Sequence, residues 1–156
     1  MHELLSKENN DYMERAREVA EKYVRPRAAE LDQTREYGWD ILEALKSYDL
    51  TGAWIPKEYG GHDAGVLNLC LIVEQLSRAC GGVGVAFAVN ALGSFPIILG
   101  GSEEQKQKYL PGIATGVSVD TLDASTMNQP FDGERLAFGP SDPTAAGWLL
   151  ADMGCR

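Results

Sequence analysis

The stretch LGSFPIILGGSEEQKQKYLPGIATG, Leu92 to Gly116, decides the fold. It divides at Gly100-Gly101. Before that pair lies an apolar run, Phe95-Pro96-Ile97-Ile98-Leu99, and after it comes a helix start. Ser102 is a good N-cap, and Gln105 three residues on completes a capping box, each side chain satisfying an orphan backbone N–H. Glu103 and Glu104 fall in the first turn, where the helix dipole favours negative charge; Lys106 and Lys108 follow toward the other end. Tyr109, Leu110 and Ile113 supply an apolar stripe, and Gly116 can close the helix in a left-handed cap. So short a helix is marginal alone. The pattern therefore predicts that it packs on the segment before it.

That preceding segment, Gly81 to Leu99, carries no charge and is dominated by small residues. Val85, Ala88 and Leu92 fall at i, i+3 and i+7. Two readings stay open: a buried helix packed closely through Gly and Ala, or a helix lining an apolar slot. Ala64 to Ala79 reads as a helix with Leu67, Leu71, Val73 and Leu76 among its buried candidates. Glu74 lies among them, either as a general base or as an ion-pair partner of Arg78 at i+4. Leu50 to Asp63 is irregular, punctuated by Gly52, Pro56 and Gly60-Gly61. Trp54, Ile55 and Tyr59 are expected to plug the helix layer from this loop. Asp40 to Tyr48 is a short amphipathic helix with Ile41, Leu42, Ala44 and Leu45 inward. A first helix, capped by Asn10 or Asp11, places Met13, Ala16, Val19 or Ala20, and Tyr23 on one face. Pro26 should kink or end it, because it lacks an N–H and crowds the preceding turn; Arg27 to Glu36 continues beyond the kink.

The expected architecture is all-α: an orthogonal helical bundle of five or six helices over residues 1–116, with one long central loop and the glycine-rich helix in the middle. Residues 117–156 contain no Lys, and Pro130, Pro140 and Pro143 interrupt them. They read as an irregular tail without a domain of their own.

Four pieces in order carry a resemblance: Trp54-Ile55-Pro56-Lys57-Glu58-Tyr59-Gly60-Gly61, Val73-Glu74-Gln75-Leu76-Ser77-Arg78-Ala79-Cys80, Leu92-Gly93-Ser94-Phe95-Pro96-Ile97, and Gly101-Ser102-Glu103-Glu104-Gln105-Lys106-Gln107-Lys108-Tyr109-Leu110-Pro111. Together they resemble the N-terminal helical domain of the flavin-dependent acyl-CoA dehydrogenases, over roughly Asp11 to Gly116. The resemblance implies an oxidoreductase that takes an acyl-CoA to the 2,3-enoyl-CoA with FAD. A carboxylate base removes the α-proton and the β-hydride passes to the flavin. It further implies electron-transfer flavoprotein as acceptor and a homotetramer. In such proteins the helix matching Gly81–Leu99 helps wall the acyl cavity, which makes Gly84, Val85, Ala88 and Leu92 the candidate substrate-lining residues. The family continues into a β-barrel that contacts the flavin. Its closest echo here is Ala137 to Gly147, with Ser141 as candidate flavin hydrogen-bond donor, although Asp142 replaces the expected Glu and no Gly-Ser-Asp follows. The resemblance also implies a catalytic base in a C-terminal helical domain and a main flavin surface shared between the barrel and that bundle, both expected to be lacking here, so no catalytic residue is assigned. The expectation is a fragment that neither holds FAD tightly nor turns over acyl-CoA alone; the alternative is a non-catalytic helical interaction module built on the same fold.

The rest of the composition narrows the field. A net charge of −9 over 156 residues argues against a nucleic-acid footprint. Cys70, Cys80 and Cys155 form no C-x-x-C pair and read as reduced thiols. The polar N-terminus shows no signal-peptide core, and no apolar run was expected to reach the ~20 residues of a membrane span. A cytoplasmic location is the expectation. His2 and His62 give no zinc spacing. Gly82-Val83-Gly84 lacks the third glycine and βαβ context of a dinucleotide site. No G-x-S-x-G elbow occurs, which leaves His62 as the only credible base for a dispersed hydrolase triad.

Overall fold

A computed structural model describes residues 4–116 other than Arg35. Among them are six α-helices and no strand: α1 (Lys7–Val19), α2 (Ala28–Thr34), α3 (Trp39–Ser47), α4 (Gly65–Ala79), α5 (Gly81–Gly100) and α6 (Glu103–Ala114). The all-α expectation holds. The irregular tail and Ser141 lie outside the described residues.

Between α1 and α2 the chain never leaves helical backbone. Ala20–Val24 widens into a π turn, with the Arg25 N–H reaching the Ala20 carbonyl. Arg25–Arg27 then tightens into a 3-10 turn around Pro26. The ring supplies no N–H, and this change of winding lets the rod bend and continue. The N-cap is Ser6, not Asn10 or Asp11. Its hydroxyl accepts from the Asn9 N–H, and the Asn9 side chain accepts from the Ser6 N–H. Asn9 fills the place of the usual Glu or Gln, which hid the box.

Helix α4 is the central element, packed on α1 along one side and on α5 along another. This corrects the expectation that the glycine-rich helix sits in the middle: α5 is seated at one side and buries only one face. The core is built from Val19, Ile41, Leu50, Ile55, Ile72, Leu76 and Leu110. Leu67 and Glu74, expected inward on α4, are exposed, and Gln75 is buried instead. Asn68, Ile72, Gln75 and Leu76 share the inward face at 3.6-residue spacing, which turns Glu74 outward. Arg17 of α1 donates to the Gln75 side chain at 3.3 Å. Asn9 of α1 donates to Asn68 at 2.8 Å. No ion pair joins Glu74 to Arg78 among the described residues.

Trp54, Ile55 and Tyr59 are buried, as the plug reading requires. Their loop satisfies its own backbone: His62 N–H bonds the Gly52 carbonyl, Asp63 the Ile55 carbonyl and Ala64 the Ala53 carbonyl. Thr51 adds a side-chain bond to the Ala114 carbonyl at 2.9 Å, tying the loop to the end of α6. At Gly61 a Cβ would overlap the Ile55 carbonyl, so only glycine fits. At α6 the Ser102–Gln105 capping box forms as expected, and Gly116 adopts φ +70°.

Candidate functional site

Helix α5 contains no charged residue, and its two faces differ in burial. Gly84, Phe87, Ala91, Ser94 and Ile97 are buried. Val85, Val89, Leu92 and Leu99 are exposed, at 63%, 36%, 59% and 83% of their surface, and Pro96 is exposed beside them. At 3.6 residues per turn these five fall within one arc of the helix. The result is an apolar stripe with nothing among the described residues upon it. Pro96 has no N–H to return to the Leu92 carbonyl, so that one intrahelical bond is absent.

By length and composition α5 could cross a membrane, at mean hydropathy 1.8 over its most apolar window. That corrects the expectation that no run reaches such length. Packing of its other face against α4 shows the role it plays here: a bundle helix with one bare side.

The buried face is indexed from a distance. Trp54 donates its indole N–H to the Ser94 hydroxyl at 2.7 Å, and Ser94 donates to the Ala91 carbonyl at 3.0 Å. The same indole meets Phe87 edge-on, with centroids 5.5 Å apart. These contacts hold α5 against rotation about its axis, which fixes the direction of the bare stripe.

Of the four candidate lining residues, Val85 and Leu92 stand on the stripe and Ala88 is half-buried at its edge. Gly84 sits one step further round, in the α4–α5 contact, where a Cβ would run into Ser77. Sequence reasoning missed Val89 and Leu99. Their i+4 and i+14 spacing from Val85 was readable, but the i, i+3, i+7 template passes over both. A half-open cavity of about 360 Å³ lies elsewhere, between α3 and the N-terminal half of α5. Ile41, Leu42, Leu45, Val83 and Phe87 line it, and none of the four candidates does.

The titratable groups near the plug are engaged structurally. The Tyr12 hydroxyl and His62 Nδ1 share a hydrogen bond at 2.9 Å, and His62 Nε2 lies 3.1 Å from an Asp49 carboxylate oxygen. His62 is therefore a bridge between α1 and the α3 turn, with neither nitrogen open as a hydrolytic base. Burial holds the Tyr12 hydroxyl above the usual phenol range, opposed by Arg15 beside it. Burial and a hydrogen bond to Glu103 push Tyr59 up to about 12. Tyr59 thus stays a neutral donor clamping the loop to α6, at 2.9 and 3.0 Å from the two carboxylate oxygens. Among the described residues no group of His, Cys, Asp and Glu could hold a metal ion.

The side chains of the stripe offer alkyl surface alone. A flavin ring needs donors and acceptors along its polar edge, and Val85, Val89, Leu92, Pro96 and Leu99 supply no side-chain partner for it. This stripe does not by itself supply the polar partners of a flavin ring. It presents a continuous apolar surface along one side of α5.

Comparison with known proteins agrees with this geometry. The pattern of the family described as "Acyl-CoA dehydrogenase, N-terminal domain" matches residues 6–117. An acyl-CoA dehydrogenase of Bacillus subtilis is 34% identical over 118 residues, covering 75% of this chain and 30% of that protein. A probable acyl-CoA dehydrogenase, fadE25 of Mycobacterium leprae, is 36% identical over 153 residues, covering 97% of this chain and 39% of that protein. Among solved structures, butyryl-CoA dehydrogenase from Megasphaera elsdenii superposes with a TM-score of 0.64 at 32% identity, over 72% of this chain and 30% of that one. The chain thus spans about a third of the length of the relatives it matches. It belongs to the acyl-CoA dehydrogenase family and corresponds to that family's N-terminal helical domain.

Proposed function

We propose that these residues form the N-terminal domain of an FAD-dependent oxidoreductase acting on the CH–CH group of an acyl-CoA, and that the α5 stripe is one wall of its acyl-chain slot. The observation that carries the reading is the bare face of α5. An uncharged helix is locked in rotation by Trp54 and Ser94 and points Val85 and Leu92 away from its own core. Such a wall contributes by orientation and by keeping water from the alkyl chain; it supplies no acid, base or electron acceptor. The small side chain of Ala88 at the stripe's edge leaves room for a long or branched acyl group, while Gly84 serves the close α4–α5 approach behind it. The base, the flavin seat and the acceptor surface belong to the remaining two thirds of such an enzyme. Electron-transfer flavoprotein is the proposed acceptor, and a homotetramer the proposed assembly.

The test is methyl NMR on the 156-residue chain titrated with octanoyl-CoA, with free CoA as control. Shifts at Val85, Val89 and Leu92 that octanoyl-CoA produces and CoA does not are the expected outcome. Shifts confined to residues around the α3–α5 cavity refute the slot assignment. A second reading, a helical interaction module, draws on the same exposed stripe.

A further inference from the structure

We propose that the half-open cavity between α3 and the N-terminal half of α5 binds a small amphipathic cation. The ligand class is an alkylammonium or arylammonium whose hydrocarbon part lies on the cavity floor and whose charge meets Asp32 and Glu36. The site is independent of the acyl-slot reading. None of Val85, Val89, Leu92, Pro96 and Leu99 lines it, and every wall comes from α2, α3, α5 and the turns beside them.

Two properties of the walls select this ligand. The floor is hydrocarbon. Ile41, Leu42 and Leu45 of α3 and Phe87 of α5 are buried, with Val83 and Ala86 half-buried beside them. A space of about 360 Å³ is large enough for a small molecule, and such a floor favours exchange of water for alkyl groups. The rim is acidic. Asp32 and Glu36 are exposed, and neither carboxylate joins an ion pair among the described residues. No Lys or Arg among the described residues lines the cavity. An organic anion would face two like charges at this rim, and a neutral hydrocarbon would leave both carboxylates unused. A cation with an apolar body answers floor and rim together. Tyr37 also lines the cavity, and its ring meets Trp39 edge-on with centroids 4.6 Å apart. It adds aromatic surface of the kind an ammonium group favours.

Methyl NMR of the 156-residue chain, titrated with hexyltrimethylammonium, tests this; hexanoate and tetramethylammonium are the controls. Saturable shifts at Ile41, Leu42, Leu45 and Val83 are expected with the hexyl cation, at a dissociation constant on the order of 1 mM. Phe87 meets Trp54 edge-on, so the Trp54 indole N–H should shift as well. Hexanoate and the bare head group should bind at least ~10-fold more weakly. The double variant Asp32→Asn, Glu36→Gln changes two exposed positions and should weaken binding about tenfold. Glu14→Gln with Glu74→Gln removes the same charge outside the cavity and should leave affinity within about twofold. Ala86→Leu, confirmed as folded by circular dichroism, should fill the floor and abolish the shifts. No saturable shift at these residues, equal binding of hexanoate, or parental affinity in the Asp32→Asn, Glu36→Gln chain would overturn the proposal. So would undiminished binding to folded Ala86→Leu, or shifts centred on Val85 and Leu92.

Discussion

Replacing Ser94 with alanine probes the contact that orients α5. In the native protein the Trp54 indole is buried and its N–H donates to Ser94 at 2.7 Å. Ser94→Ala removes the acceptor and leaves an apolar surround. A buried donor stripped of its partner costs roughly 1–3 kcal/mol. Alanine regains about 0.5 kcal/mol of helix propensity over serine. The net loss should be about 0.5–2.5 kcal/mol, a sizeable part of a typical 5–15 kcal/mol domain stability. Urea denaturation followed by circular dichroism should show a lower midpoint at unchanged slope. The same substitution in a Trp54→Phe background, where the donor is already absent, should cost less than ~0.5 kcal/mol, since the coupling of the pair is what the cycle measures. Equal losses in both backgrounds would refute the hydrogen bond as the cause and leave only packing.

Two further outcomes test the supports around the site. Gly84→Ala gains helix propensity but forces a methyl into Ser77; because the Ser77 Cα and Cβ as well as its hydroxyl are in the way, a net loss of about 1–3 kcal/mol is expected. Ser77→Gly should restore part of it, and a Gly84→Ala chain as stable as the parent would contradict the close α4–α5 approach. The Tyr59 hydroxyl titrates higher in the fold, at about 12, than its ordinary 10.0. The folded state therefore holds that proton more tightly, and the contribution is complete below pH 10 and lost as pH rises toward 12. Urea midpoints measured across that window should fall for the parent and fall less for Tyr59→Phe.

How much could be read from the chain alone depended on how local the cause was. The Ser102–Gln105 cap and the left-handed Gly116 rest on contacts within a few residues, and both were legible. Absence of charge marked Gly81–Leu99 as a helix that must hide or present apolar surface. Which way it turns was not legible, because the choice is made by Trp54 forty residues earlier and by the fit of Gly84 on Ser77. The same holds on α4. Glu74 and Gln75 are neighbours in sequence, and only the approach of Arg17 from α1 sends one inward and the other to water. The Ser6 cap was missed for a chemical reason: Asn9 is too short to be the usual partner, yet its amide oxygen still reaches the Ser6 N–H at 3.1 Å.

The widened turn at Ala20–Val24 bears on how this chain lines up with its relatives. A π turn holds one more residue than the α-helical path it replaces. A relative lacking one residue between Val19 and Pro26 could close that turn into ordinary helix. Tyr12, Met13 and Ala16 before it would keep their inward phase, and the residues after the bend would keep theirs. In an alignment of such sequences a single-residue gap here would be a change of winding, with the buried contacts on both sides left intact.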